Sequence, residues 1–322
     1  MPATATHSFF VEDVYNTLPE YIKENINIDR MKMFGQSVDS LKFYNILSIK
    51  KGKDIRNFSK YFHDNKTKEF FHTLINYIKI NNYKSNDIYS FLYGFICHYI
   101  LDSTMHPFVI YKTGEFNKND KTTYKYNNLH TFMETFIDNY MIKKYKNINP
   151  YTYRIDKTTF CLKPFSYELN DLIDYTFKEV FDQSNMSKIY FKSLKQMSTF
   201  LKLFRYDKYG IKKNLYKLID TFTPKRCFRF EAISYHVSLI DKDNFLNNNN
   251  ELWRYPTNYS IKKHDSFDDL YKEAIKICKK LICASYDYIN GNSYTFDKIF
   301  TNNSYITGLD CCDKKELKYF KF

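Results

Sequence analysis

The sequence predicts an all-α protein. Gly and Pro number only seven each, aromatic residues abound (31 Tyr and 30 Phe against one Trp), and apolar residues recur at helical spacing. Few turn formers and few breakers suit long helices and argue against a sandwich or barrel, which needs a turn every few residues. A chain of 322 residues is long enough to bury a sizeable core. No repeat is evident and no link between helical stretches is long or biased enough to mark a boundary. Residues 1–322 are therefore expected to form a single helical bundle-like domain, residues 150–322 adding further helices to the first half.

The first helix is predicted from Ser8 to about Pro19, where Phe9, Phe10, Val14 and Leu18 share a face and Glu12 and Asp13 lie in early turns favoured by the helix dipole. His7 stands just before it. Residues Met33 to Ser40 are expected to form a loop, Gly35 permitting the turn and Asp39 projecting from irregular backbone. A helix is predicted over about 54–80, carrying Phe58, Phe62, Phe70, Phe71, Leu74 and Ile78, with His63 and Thr67 on one face and His72 on the opposite one. Between Pro107 and about Asn128 the chain turns polar and is expected to loop, before a helix from about Leu129 to Tyr145. Helical periodicity returns near 168–183, 187–204, 211–220 and 266–290, with links such as Thr223-Pro224 and Asn247 to Asn250 between.

The stretch Ser90 to Glu134 organises the rest, because metal-seeking side chains recur in what is otherwise buried helix. His98 and Asp102 are four residues apart, so on a helix they stack on one face, about 40° apart around the axis. They stand among Phe95, Ile96, Ile100 and Leu101, and an ionised carboxylate buried without a partner costs several kcal/mol, roughly, so a cation is the economical partner. A buried carboxylate–imidazole hydrogen bond would serve as well, but it leaves His106, His130 and Glu134 without a role. His106 precedes Pro107, which biases its predecessor away from helix, so it is expected at or just past the helix end. His130 and Glu134 repeat the i, i+4 pair on the next helix, and imidazole with carboxylate suits borderline cations such as Zn²⁺.

The net charge is +13, but Lys is dispersed along the whole chain and no Arg-rich arm or nucleic-acid motif is present, so a solvated basic surface is expected and no stable nucleic-acid partner. Seven Cys without CxxC or paired spacing support neither a disulfide framework nor a thiolate zinc site. The N-terminal segment lacks the basic and apolar parts of a secretory signal and no run is long enough to cross a bilayer, so a cytoplasmic location is expected. No Gly-x-Ser-x-Gly elbow or Cys/His signature supplies a protein nucleophile. His236 and His264 fall outside the donor pattern and are expected to be ordinary surface or core residues, and Trp253 a packing residue.

Taken in order, His7, Gly35-Gln36-Ser37-Val38-Asp39, His63, His98-xxx-Asp102-xxx-His106 and His130-xxx-Glu134 resemble the zinc-dependent phospholipase C family, which shares its fold with the S1/P1-type nucleases. The spacing from Asp102 to His106 and the Pro-Ala-Thr start look like those of a cytoplasmic-looking bacterial branch. The resemblance implies an all-helical fold and a cluster of up to three zinc ions. Asp39, His63, His98 and Asp102 would hold one ion, Asp102 would bridge to a second bound by His7, and His106, His130 and Glu134 would hold the third. Secreted members use a processed N-terminal Trp as a ligand, whereas this chain begins Met1-Pro2, and Ser40 follows Asp39 where an aromatic residue would be expected, so choline specificity is not implied.

The implied activity is hydrolysis of a phospholipid or another phosphodiester by a zinc-activated water, with transient contact at a membrane surface and Asp39 as ligand and proton acceptor. The alternatives are an S1/P1-like nuclease and a non-catalytic helical protein with structural zinc. Structural sites are usually closed and four-coordinate, and eight donors shared among three ions leave open positions, which favours chemistry.

Overall fold

The computed structural model describes residues 4–48, 50–224, 227–291, 300–313 and 315–321. Its elements run α1 (Thr4–Thr17), α2 (Glu20–Lys23), α3 (Ile28–Phe34), a 3₁₀ helix (Ser37–Phe43), α4 (Lys53–His63), α5 (Thr67–Ile80), α6 (Asn86–Thr113), a second 3₁₀ helix (Lys121–Tyr126) and α7 (Leu129–Lys146). Beyond these lie α8 (Ile155–Thr158), α9 (Tyr167–Phe181), α10 (Met186–Phe204), α11 (Ile211–Phe222), the hairpin β1 (Trp253–Tyr255) and β2 (Asn258–Lys263), and α12 (Phe267–Ile289). The fold is all-α. No helix among the described residues is long and apolar enough to cross a membrane.

α6 is apolar almost all the way round and is correspondingly buried from Ile88 to Ile110 apart from Ser103 and Thr104, as expected of a helix at the centre of a core. α1, α3, α7 and α12 pack around it. Close approach to α3 depends on Gly94: a Cβ there would stand 2.7 Å from Phe34 Cβ, 2.8 Å from Phe34 C and 2.9 Å from Gly35 N. Arg30 on α3 then reaches the first turn of α6, its Nε and Nη2 donating to Asp87 Oδ1 and Oδ2 at 2.9 and 2.6 Å, a fork-to-carboxylate pairing that fixes orientation as well as distance.

α1 is docked by a carboxylate from another helix. Asp138, fully buried on α7, accepts from the Ala5 and Thr6 amides at 3.2 and 2.8 Å and from Thr6 Oγ1 at 2.9 Å. It also accepts from Tyr235 Oη at 2.6 Å and Arg205 Nη1 at 3.3 Å. These bonds satisfy orphan amides of the first turn and place negative charge at the positive end of the helix.

The structure departs from the sequence expectations in five places. His7 lies inside α1, whose Ala5 and Thr6 amides are held by the remote Asp138. Asp39 sits in a 3₁₀ helix instead of an irregular loop. The helix expected over 54–80 is two helices, broken at Asp64–Lys66, where Lys66 takes a left-handed backbone with φ of 58°; His63 ends α4, while Thr67 and His72 belong to α5. α6 runs through Pro107 to Thr113, keeping His106 helical. The ring denies Ser103 O its helical N–H, and Gly308, with φ of 65°, lies so close that a Cβ would stand 2.5 Å from that carbonyl. The hairpin, pairing Trp253 with Lys263 and Arg254 with Lys262, is absent from the expectations because its first strand is too short to show alternation.

Gly94→Ala is expected to destabilise the fold by about 1–3 kcal/mol, since backbone rather than a flexible side chain must give way. Urea unfolding of the variant, with an unchanged slope against denaturant, is the measurement; a midpoint equal to that of the parent would contradict it.

Candidate metal centre

α1, the 3₁₀ helix after α3, α4, α6 and α7 each bring donors to one region. They form three groups: His7, His98 and Asp102; Asp39, His63 and His98; and His106, His130 and Glu134, the donor atoms within each lying within 4.8 Å of one another. All are buried except His130, whose side chain is 32% exposed. The last residue of α4 and three successive turns of α6 face the same point, so the break after His63 positions that residue as much as helical register does.

Three histidines have their tautomers fixed by backbone. His63 Nδ1 lies 2.6 Å from Ser59 O, His98 Nδ1 3.0 Å from Gly35 O, and His106 Nδ1 2.7 Å from Tyr305 O. A carbonyl only accepts, so the hydrogen is on Nδ1, and a neutral ring turns the lone pair of Nε2 inward. Those Nε2 atoms meet carboxylates. His63 Nε2 is 3.2 Å from Asp39 Oδ1 and 3.8 Å from Asp102 Oδ2, His98 Nε2 is 3.3 Å from Asp102 Oδ2, and His106 Nε2 is 3.8 Å from Glu134 Oε1. His63 Nε2, His98 Nε2, Asp39 Oδ2 and Asp102 Oδ2 are buried without a hydrogen-bond partner.

The carboxylates stay charged. Burial alone would raise the pKa of Asp102, but His106 and His98, with a hydrogen bond from His7, hold it well below the usual range. Burial likewise opposes charge on Asp39, and the Lys42 ammonium and His63 beside it prevail and hold it well below. Burial pushes His7 and His63 down, His98 also lowering His7, on which it stacks at 4.4 Å. For His98 and His106 burial is outweighed by Asp102, which raises both, His106 to about 9. Buried anionic oxygens and imidazole nitrogens converging on one region fit cations, and imidazole nitrogens with carboxylates are a zinc-type donor set whose orienting carbonyls are already in place.

Every donor named from the sequence comes to this region. His72 does not; it lines an outer pocket with Tyr61, Asn65 and Asn76. His236 stacks on Tyr151 and approaches Asp207, and His264 is bonded to Asn250 O at 3.1 Å, both outside the centre. Trp253 packs against Phe108 and Tyr111, its Nε1 donating to Asp265 O at 3.1 Å. Met1 and Pro2, the start that stands where secreted relatives carry a Trp ligand, lie outside the described residues.

Lys42 and Tyr305 join the donors named from the sequence. Lys42 pairs with Asp39 because i and i+3 eclipse in a 3₁₀ helix, an element the sequence pattern does not reveal. Tyr305 has no residue-type signal, because it acts through its backbone, donating its amide to His63 O at 2.8 Å and accepting from His106 through its carbonyl. Its ring covers His63 and His98, with centroids 5.2 and 5.9 Å away. Tyr305→Ala is expected to cost about 3–5 kcal/mol by opening a cavity over these rings, and, with the backbone retained, to leave the His106 bond in place. Thermal unfolding checks the cost and the imidazole nitrogen NMR shifts check the tautomer.

Residues 6–186 match the model of a family described as zinc dependent phospholipase C. The curated proteins and the solved structures compared yield no match. The matched span takes in over half of the chain and all eight donors from His7 to Glu134, and the regular elements described within it are all helices. On the match and on a buried set of imidazoles and carboxylates that fits zinc, the chain belongs to the zinc-dependent phospholipase C family.

Proposed function

We propose that the centre holds three zinc ions and that the protein hydrolyses the phosphodiester of a phospholipid, releasing the phosphorylated head group from the lipid alcohol. The observation that carries this reading is the facing of Nε2 atoms and carboxylate oxygens at 3.2–3.8 Å, with His63 Nε2, His98 Nε2 and Asp102 Oδ2 buried without a hydrogen-bond partner. In this reading Asp39, His63, His98 and Asp102 would hold one ion, His7 with Asp102 a second, and His106, His130 and Glu134 a third; His7 Nε2 to Asp102 Oδ1 is 3.2 Å. Zinc, when bound, supplies Lewis acidity to a phosphoryl oxygen and lowers the pKa of water.

The protein's own residues do the positioning. Ser59, Gly35 and Tyr305 carbonyls hold three rings in the ligating tautomer. Lys42 keeps Asp39 ionised, which favours ligation and makes that carboxylate a weak base; Oδ2, the oxygen away from Lys42, is the one free to accept a proton from the attacking water. His130, the most exposed donor, marks the side from which a phosphate can enter.

Zinc near three per chain in protein purified without added metal, together with turnover of phosphatidylcholine, is the expected result. Turnover of single-stranded nucleic acid instead would select a nuclease, and bound zinc without turnover of either would make the metal structural. Asp102→Asn is expected to lower metal content and reduce hydrolysis by at least about 100-fold with helical content intact, since an amide offers one neutral acceptor oxygen in place of two charged ones. Full metal and activity in that variant would refute a bridging role. His63→Ala is expected to lose at least one metal per chain, whereas His72→Ala on α5 keeps its complement and costs within about 1 kcal/mol; metal analysis of the pair distinguishes them.

A further inference from the structure

α11 is amphipathic the wrong way round for a core helix. Its inward residues are Tyr216 and Asp220, the only two that are buried, and both are held by polar bonds. Tyr216 Oη donates to Phe204 O at 2.6 Å, and Asp220 accepts from the Phe230 and Glu231 amides at 2.9 and 2.8 Å. The opposite face is apolar and bare: Ile211, Leu215, Leu218 and Phe222 are 69, 50, 58 and 80% exposed. At 100° per residue these four fall within about 60° of arc, pointing away from the anchored side.

The charge around the stripe has one sign. Between Lys202 and Phe222 lie Lys208, Lys212, Lys213 and Lys217, while the two acids in that span, Asp207 and Asp220, are buried. Asp207 is spent on the start of the helix, accepting from the Lys212 and Lys213 amides at 3.2 and 2.9 Å. Tyr209, beside the N-terminal end, is exposed and carries Lys208 over its ring. Shortly after the C-terminal end of the helix, Arg229 N donates to Asn128 Oδ1 at 3.0 Å, two residues before His130, the exposed donor of the metal centre.

We propose that α11 is a membrane-docking helix, laying its Ile211–Leu215–Leu218–Phe222 stripe into the interfacial layer of an anionic phospholipid bilayer while Lys208 and Lys217 engage the head groups. An exposed apolar stripe in a span, 202–222, that is rich in lysine and whose only acids are buried is the pattern of helices that lie in the plane of a bilayer surface, the exposed Glu231 lying past the C-terminal end. The choice of a bilayer as the occupant rests on the phospholipid reading above and on this charge complementarity. Docked so, the protein would hold the His130 side of the centre near the head groups.

The test is cosedimentation of the full chain with vesicles of phosphatidylcholine mixed with phosphatidylglycerol, beside turnover of a water-soluble phosphodiester. The parent is expected to bind, less tightly as salt is raised, and Leu218→Glu/Phe222→Glu to bind at least about tenfold more weakly, with its circular dichroism and soluble turnover unchanged. Lys208→Gln/Lys217→Gln keeps the stripe and is expected to lose the salt dependence. A parent that does not bind, or a double-glutamate variant that binds equally, overturns the proposal, as does a parent dimer that this variant converts to monomer without vesicle binding. Vesicle binding through α11 with no turnover of any phosphodiester would leave the docking standing and sink the hydrolase reading alone.

Discussion

Three backbone carbonyls set the character of the centre. By taking the Nδ1 hydrogens of His63, His98 and His106, Ser59, Gly35 and Tyr305 turn the other nitrogen of each ring toward a site that also holds ionised carboxylates. Such an arrangement is self-repelling without positive charge in its midst. The demand for cations is thus made by backbone geometry as much as by the donor side chains, and histidines at the same positions with free tautomers would satisfy themselves by donating to Asp102 instead.

Much of the scaffold serves to deliver those carbonyls. Gly94 admits α3 close enough that the turn after it brings Gly35 O to His98, one helical turn along α6. Ser59 and His63 are i, i+4 on α4, so the second carbonyl comes from within the same helix. The third arrives from residues 300–313, seated against the side of α6 where Pro107 leaves Ser103 O without its helical partner and Gly308 comes close. Asp138 does the corresponding work for His7 by docking the first turn of α1.

The donors were legible because i, i+4 pairs of imidazole and carboxylate inside an apolar run leave few economical explanations. The later helices were legible for the ordinary reason that their periodicity is strong: α9, α10 and α12 begin and end within two residues of expectation. What could not be seen was long-range or backbone-borne. The cap on α1 comes from residue 138, the continuation of α6 through Pro107 is a tertiary outcome that overrides a local preference, and a carbonyl such as that of Tyr305 has no residue-type signature. The break at Asp64–Lys66 was misjudged because apolar residues on both sides keep a plausible period across three polar ones. α11 was found as a helix, but amphipathicity alone does not say which face turns inward; polar anchoring of Tyr216 and Asp220 decides that, and neither bond is local.

The Tyr305–His106 bond also bears on how the protein is made. Every donor side chain belongs to the part of the chain translated by residue 134, yet the residue that fixes the His106 tautomer lies 199 positions beyond that histidine. A nascent chain therefore carries the complete donor set long before it carries the means to orient it, and closing so distant a contact is entropically slow. An ion captured during that interval would meet a His106 free to offer either nitrogen, so if this end of the centre holds metal as proposed, its correct loading would wait on the docking of residues 300–313.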